Sequence, residues 1–434
     1  MNSGTEISRP PSFREAFRFW LKLGFISFGG PAGQIAIMHG EVVENRRWID
    51  EPRFLHALNF CMLLPGPEAQ QLATYLGWLL HGRRGAFAAG ILFVLPSALI
   101  LWALSIAYVS LGNLGWMQGI FYGLKPVVLA IVLGAVLRIG GRVLKNPTMW
   151  IISAAAFAAL AFLRAPFPLV VAMAALIGFV GGRFRRDSFL VIKGHGESGG
   201  PASISDSRQP TISRTLRVAA VGLAIWWAPL LAAGATLGWT GVHFQQGLFF
   251  SKAAMVTFGG AYAVLPYVAQ QAVETHHWLS APQMLDGLGL AETTPGPLIM
   301  VLQFVGFLGG WNHPGGMSPL LSASLAAGIT TWATFAPCFL WIFVGAPYIE
   351  RLRSNERLTC ALSAITAAVV GVILNLAIWL GVHVLIPKSW TPDWAAIGIT
   401  AAAFVGIAFR KWSTVSVVAG GIGCGLAAWW LGIV

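Results

Sequence analysis

Apolar stretches fall near residues 15–38, 54–80, 87–111, 119–138, 149–163 and 167–182, and each is long enough to read as a membrane helix or a large part of one. A polar stretch at 183–216 follows, with Arg183, Arg185, Arg186, Gly199, Gly200, Ser203, Ser205 and Ser207, and reads as a flexible linker. Apolar stretches resume at 217–238, 245–269, 284–309, 320–346, 360–386, 394–409 and 413–433. The pattern is six segments, one, then six, and it predicts an all-α polytopic membrane protein.

The two sets of six are copies. Lys22, Phe28, Gly29, Gly30, Val43, Glu44, Trp48, Pro52, Leu55, Leu58, Pro65, Gly66 and Pro67 recur, without a gap, as Lys252, Phe258, Gly259, Gly260, Val273, Glu274, Trp278, Pro282, Leu285, Leu288, Pro295, Gly296 and Pro297. Apolar bias explains repeated leucines, but not two Gly-Gly pairs and two Pro-Gly-Pro triplets in register. The single span between the copies inverts the second one, an arrangement typical of secondary transporters. The expected organisation is a first repeat over 1–182, a cytoplasmic linker over 183–216, an inverting helix over 217–238 and a second repeat over 239–434.

Composition narrows the class. Of 434 residues, 56% are hydrophobic and 10% charged, against about 25% charged in an ordinary soluble protein. The net charge of +12 follows the positive-inside bias and needs no nucleic acid. With the N-terminus cytoplasmic, Arg138, Arg142, Lys145, the linker, Arg351, Arg353, Arg357, Arg410 and Lys411 lie inside. Lys125, Arg164 and Lys388 are left outside, as is the C-terminus. Residues 1–16 lack a signal-peptide pattern, so the first apolar segment is expected to be retained. Cys61, Cys338, Cys360 and Cys424 show no paired spacing, and the histidines no ligand spacing, so neither disulfides nor a metal site is expected. Paired tryptophans such as Trp226-Trp227 and Trp429-Trp430 read as interface anchors. No phosphate-binding loop of the ATPase type occurs, and no cofactor is expected.

One loop breaks the charge rule. If 15–38 crosses fully, Arg46, Arg47 and Arg53 lie outside, while the matching loop 270–283, free of Lys and Arg, lies inside. Hairpins at 15–38 and 54–80 that enter and leave on one face remove the conflict. Each arm then has about 11–14 residues, shorter than the ~30 Å hydrocarbon core. Kinked full spans remain the other reading, because Glu41, Glu44, Asp50 and Glu51 dilute the positive signal.

The breaks at Gly-Gly and Pro-Gly-Pro leave backbone N–H groups without partners inside a membrane. Four helix N-termini converging there, each carrying about half a positive charge, make an anion site. The candidate substrate-binding residues are Lys22, Ser27, Gly29, Gly30, Gly66 and Gln70, with Lys252, Thr257, Gly259, Gly260, Thr294 and Gly296. Against this stands close helix packing for the glycines, and snorkelling for Lys22 on the stripe Arg14, Arg18, Lys22. Glu68 and Glu292 are candidates for proton coupling, with Glu292 a possible partner of Lys252; Glu68 also suits a plain helix start.

The run from Lys22 through Phe28-Gly29-Gly30-Pro31, then Trp48 and Pro65-Gly66-Pro67, with its second copy from Lys252 to Pro297, resembles the chromate ion transporter (CHR) family in its long form with two fused domains. The resemblance covers nearly the whole chain. It implies an inner-membrane carrier of bacteria or archaea that exports chromate with the proton motive force and confers chromate resistance. Short members of the family work in pairs, which leaves a homo-oligomer open. The second copy has Ala261-Tyr262 where the first has Pro31-Ala32, so the halves of a site are not equivalent. Sulfate, a tetrahedral dianion of similar size, or another oxyanion remains an alternative substrate, and a passive anion channel an alternative mechanism. An intramembrane enzyme acting on lipid phosphate lacks a His/Asp or Ser/His set, and the chain reads as no enzyme.

Overall fold

The computed structural model describes residues 10–28, 30–112, 114–191, 211–348, 356–387 and 391–432, and Gly29, Arg351, Arg353, Lys388 and most of the linker lie outside them. The described residues fold as seventeen helices. The first repeat begins with α1 (Phe13–Ile26), α2 (Gly30–His39), which runs on into a π-helical turn (Gly40–Asn45), and α3 (Glu51–Met62). It continues with α4 (Glu68–Leu111), α5 (Gly115–Val143), α6 (Pro147–Ala161), α7 (Phe167–Phe184) and a short α8 (Arg186–Phe189). Helix α9 (Ile212–Leu237) stands between the copies. The second repeat begins with α10 (Val242–Met255), α11 (Ala261–Gln270) with its own π turn (Gln271–Thr275), α12 (Ala281–Thr293) and α13 (Val301–Asn312), which a 3₁₀ turn (Leu298–Met300) opens. It ends with α14 (Pro319–Gly345), α15 (Glu356–Leu385), α16 (Trp394–Ala408) and α17 (Thr414–Trp430). Six of these helices are long and apolar enough to cross a membrane.

The apolar segments 54–80 and 87–111 are divided differently in three dimensions. The chain breaks at 63–67, and α4 then runs on to Leu111 through a kink where His81 and Gly82 leave helical geometry. Gly82 at φ +58° lets the backbone make this corner.

Contacts at the kink and at the π turn show that both early segments are hairpins. Arg46, at the end of the second arm, lies 3.9 Å from Glu15 and over the Phe19 ring, near the start of the first arm. His81 Nε2 lies 2.9 Å from the Pro11 carbonyl, and its ring packs on Phe13. Residues 11–15, 46–48 and 81 therefore share one end of the bundle. The second repeat repeats the geometry: Trp278 packs on Phe249 and Phe250, Asn312 donates to the Trp278 carbonyl, and His313 lies 3.1 Å from the His277 carbonyl. Arg47 and His277 even share the same left-handed backbone, φ +50° in both.

The repeats are inverted. Pro96-Ser97 in α4 corresponds to Pro337-Cys338 in α14, yet these matching helices run antiparallel: Phe87 stacks on Phe339, while Trp102 at the other end donates to Ser324. The hairpins of the two copies thus enter from opposite ends and meet at their tips. Helices α5 and α15 occupy the centre, α5 packed on α16 and α17, α15 on α6 and α7 in the mirrored arrangement. Gly123 and Gly425 bring α5 and α17 to backbone contact, and Gly178 brings α7 onto Cys360 and Ala364. Helix α9 is clamped by Trp226, which donates to Ser251 and is 4% exposed. Trp226 is therefore a packing residue and not an interface anchor, whereas Trp430 is 81% exposed. Exposed Leu99, Ile151, Leu163 and Leu216 give the lateral surface an apolar coat suited to lipid.

Candidate functional site

Residues at the four hairpin tips touch across the repeat boundary in a reciprocal pattern. The Gly66 backbone N–H donates to the Thr257 carbonyl at 2.8 Å, and the Gly296 N–H donates to the Ser27 carbonyl at 2.6 Å. Ser27 and Thr257 are the matching residues just before the Gly-Gly breaks, and their hydroxyls bond back to Leu23 and Ala253. The Gln34 side chain donates to the Gly296 carbonyl at 2.6 Å. Each break in one copy is held by a break in the other.

The glycines here are conformationally necessary. Gly30 and Gly260 have φ of +70° and +95°, and Gly66 and Gly296 have φ of +124° and +107°. These values suit glycine and strain any other residue. Four helices restart at the tips: α2 at Gly30, α4 after Pro67, α11 after Gly260, and the 3₁₀ turn into α13 after Pro297. The last three starts carry no side-chain cap. Their first N–H groups receive no N-cap side-chain acceptor.

Two carboxylates border these ends. Glu68, in the first turn of α4, lies within reach of the Gly259 backbone N–H from the other copy. Glu292 accepts from the Tyr262 hydroxyl at 2.7 Å and feels the positive charge of Arg138 on α5. Both are half-buried, Glu68 at the start of α4 and Glu292 near the end of α12. Thr294 bonds back to Ala291, and the buried Gln70 side chain turns along its own helix to Thr74.

The lysines lie elsewhere. The buried face of α1 follows Ala16, Phe19, Trp20, Leu23 and Gly24, which puts Lys22 on the exposed face with Leu21 and Phe25. Lys252 is likewise exposed, opposite the buried Phe250, Ala253 and Ala254, and within electrostatic range of His276. The pairing of Glu292 with Lys252 is replaced by Tyr262 and Arg138. Arg138 belongs to α5 itself and not to a loop beyond it.

A second buried polar cluster went unseen in the sequence. Lys125 Nζ lies 3.1 Å from Asp286, whose other oxygen accepts from the Tyr108 hydroxyl at 2.9 Å. Lys125 sits well inside α5 and not in a loop outside it. Its one sequence signal was its neighbour Pro126 in an apolar helix. Among the described residues no group of three or more metal-ligating side chains occurs.

Hairpins meeting tip to tip, inverted copies and a cluster of uncapped helix starts define a polytopic membrane protein with the architecture of an inverted-repeat carrier. The family model described as chromate transporter matches twice, over residues 14–179 and 244–429, and the chain belongs to that family in its long, duplicated form. The chromate transport protein of Cupriavidus metallidurans is 29% identical over 96% of this chain and 94% of its own length. That of Pseudomonas aeruginosa is 32% identical over 85% of this chain and 81% of its own, and a probable chromate transport protein of Synechococcus elongatus is 29% identical over 85% of both. No solved structure matches the chain.

Proposed function

We propose that this chain is a secondary active carrier that exports chromate across a bacterial inner membrane, coupled to the proton motive force, and so confers chromate resistance. The observation that carries the reading is the reciprocal bonding of the tips, Gly66 to Thr257 and Gly296 to Ser27, which gathers the uncapped helix starts at one place. Each start contributes about half a positive charge, and a tetrahedral dianion offers an oxygen to each side. Chromate enters as the substrate named in the relatives' descriptions.

In this reading Gly30, Gly66, Gly260 and Gly296 let the backbone approach the anion, with Ser27, Thr257 and Thr294 holding the tips in place. Gly259 and Gln70 flank the same ends, and Gly29 joins them by its place in the motif. Arg138 supplies the full positive charge that the exposed Lys22 and Lys252 do not. Glu68 beside Gly259 competes with the anion while ionised and yields when protonated, which ties substrate binding to proton binding. Glu292 acts similarly through Tyr262 and Arg138. The inverted copies supply the second orientation by exchanging roles. An inside-negative potential favours outward movement of the dianion by about 2.3 kcal/mol per charge per 100 mV. With the charged end at Arg46 cytoplasmic, the N-terminus lies inside and the C-terminus outside.

The test is uptake of labelled chromate into inverted vesicles with and without a pH gradient, with sulfate as competitor. Gradient-stimulated uptake is expected, and Glu68→Gln is expected to remove the stimulation while leaving chromate competition intact. Uptake independent of any counter-ion would make the protein a channel, and sulfate uptake without chromate uptake would change the substrate.

A further inference from the structure

Two residues on the long helices meet the breaks in mirrored fashion. Ser97 follows Pro96 in α4, and Cys338 follows Pro337 in α14, so the two occupy corresponding places after a helical proline. Each lies against the Pro-Gly-Pro glycine of the opposite copy. A Cβ built on Gly296 would stand 2.6 Å from the Ser97 hydroxyl oxygen, and one on Gly66 would stand 2.8 Å from the Cys338 sulfur. Absence of side chains at those glycines is what admits the hydroxyl and the thiol.

The hydroxyl of Ser97 is in an unusual position for this protein. Thr74, Ser105, Thr334 and Thr366 each spend their hydroxyls on the carbonyl four residues back. Ser97 is 1% exposed, and among the described residues its oxygen has no hydrogen-bond partner. A buried hydroxyl without a partner is costly, and a partner that comes and goes would offset the cost. It stands beside the Gly296-Pro297 turn, where the backbone of the next helix begins without a side-chain cap. A donor hydroxyl next to uncapped donor N–H groups makes a place for an acceptor, and an oxyanion is one. At the mirrored place the donor is the Cys338 thiol, which is weaker and leans back on the Thr334 carbonyl at 3.8 Å.

We propose that Ser97 donates its hydroxyl to an oxygen of the carried oxyanion at the Gly296 end, and that Cys338 stands in the equivalent place at the Gly66 end, making one strong and one weak half-site. This rests on the oxyanion-carrier reading. The strong half holds a substrate oxygen by hydroxyl and backbone together; the weak half holds it by backbone with little help. Cys338→Ser therefore strengthens binding, and Ser97→Ala weakens it.

The experiment is equilibrium binding of labelled chromate, and separately of labelled sulfate, to the purified full-length protein in nanodiscs. Ser97→Ala is expected to weaken binding about tenfold or more, the usual loss for one hydrogen bond to a charged acceptor. Cys338→Ser is expected to tighten it several-fold, and the exchange Ser97→Cys with Cys338→Ser to restore most of the affinity lost in Ser97→Cys alone. Restoration by exchange separates substrate contact from packing, because a packing defect at Ser97 is not repaired at Cys338. If wild-type protein binds and Gly260→Val does not, but Ser97→Ala and Cys338→Ser both match wild type, the carrier reading stands and this assignment falls. If wild-type protein binds neither anion, both fall.

Discussion

Helix starts at the ends of the bundle and helix starts at its centre differ in how they are capped. At the ends, Ser12, Asp50, Asn146, Ser280, Asp393 and Ser413 cap their helices with a side-chain oxygen, and Ser280 with Gln283 forms a full capping box. At the centre, the helices after Pro67, Gly260 and Pro297 start without any such cap. Helices α5, α7, α9, α10 and α14 also start without a side-chain cap at the ends, where water can serve, whereas at the centre water is scarcest and an uncapped start is most costly. In the proposed function, the missing caps inside leave the first N–H groups free for an anion.

The comparison is most sharply broken by supplying the missing caps. Pro67 and Pro297 already have the extended backbone of an N-cap residue, so Pro67→Asp or Pro297→Asp places a carboxylate on the open N–H groups. Chromate efflux is expected to fall by more than a hundredfold while thermal stability in detergent holds or rises. Retained efflux would mean that the interior ends do not meet substrate.

Gly30→Val and Gly260→Val come next. Nothing lies within 4 Å of a Cβ at Gly30, and only Pro31 meets one at Gly260, so the damage arises from backbone strain at positive φ. Efflux is expected to be lost with protein still in the membrane, as read by immunoblot of membrane fractions. Normal chromate resistance in both would assign the breaks to packing.

Surface caps should show the reverse signature. Ser280→Ala is expected to cost about 1 kcal/mol of stability, seen as a lower midpoint in thermal unfolding, with transport rate unchanged. The smallest effect belongs to Lys252→Gln. With its side chain exposed and Glu292 engaged by Tyr262, efflux per protein is expected to stay within about twofold of wild type, and the double variant with Glu292→Gln to match Glu292→Gln alone. Recovery in the double variant would restore the lysine–glutamate pairing.

What could be read in the chain before folding depended on whether the signal was local. Gly-Gly and Pro-Gly-Pro act on their own backbone, so the breaks, their repetition and the convergent helix starts were legible. The misplaced Arg46 and Arg47 pointed to hairpins because charge placement obeys the membrane and not the fold. The direction of Lys22 was also present, in the spacing of Ala16, Phe19, Trp20 and Leu23, but the matched lysines drew attention away from it. Tyr262 with Glu292, Lys125 with Asp286, and Ser97 with Gly296 join residues 30 to about 200 positions apart, and no periodicity encodes such meetings.

The Lys125–Asp286 bridge has one more consequence, because duplication does not reproduce it. At the corresponding places the chain carries Thr366 and His56, and these cannot form the same ammonium–carboxylate pair. A perfect twofold duplicate would rest equally in its two orientations. Here the bridge joins α5 of the first copy to α12 of the second with no counterpart between α15 and α3, and about 1.4 kcal/mol of difference between two orientations would amount to a roughly tenfold preference. The two halves, copied from one template, are in this way no longer interchangeable.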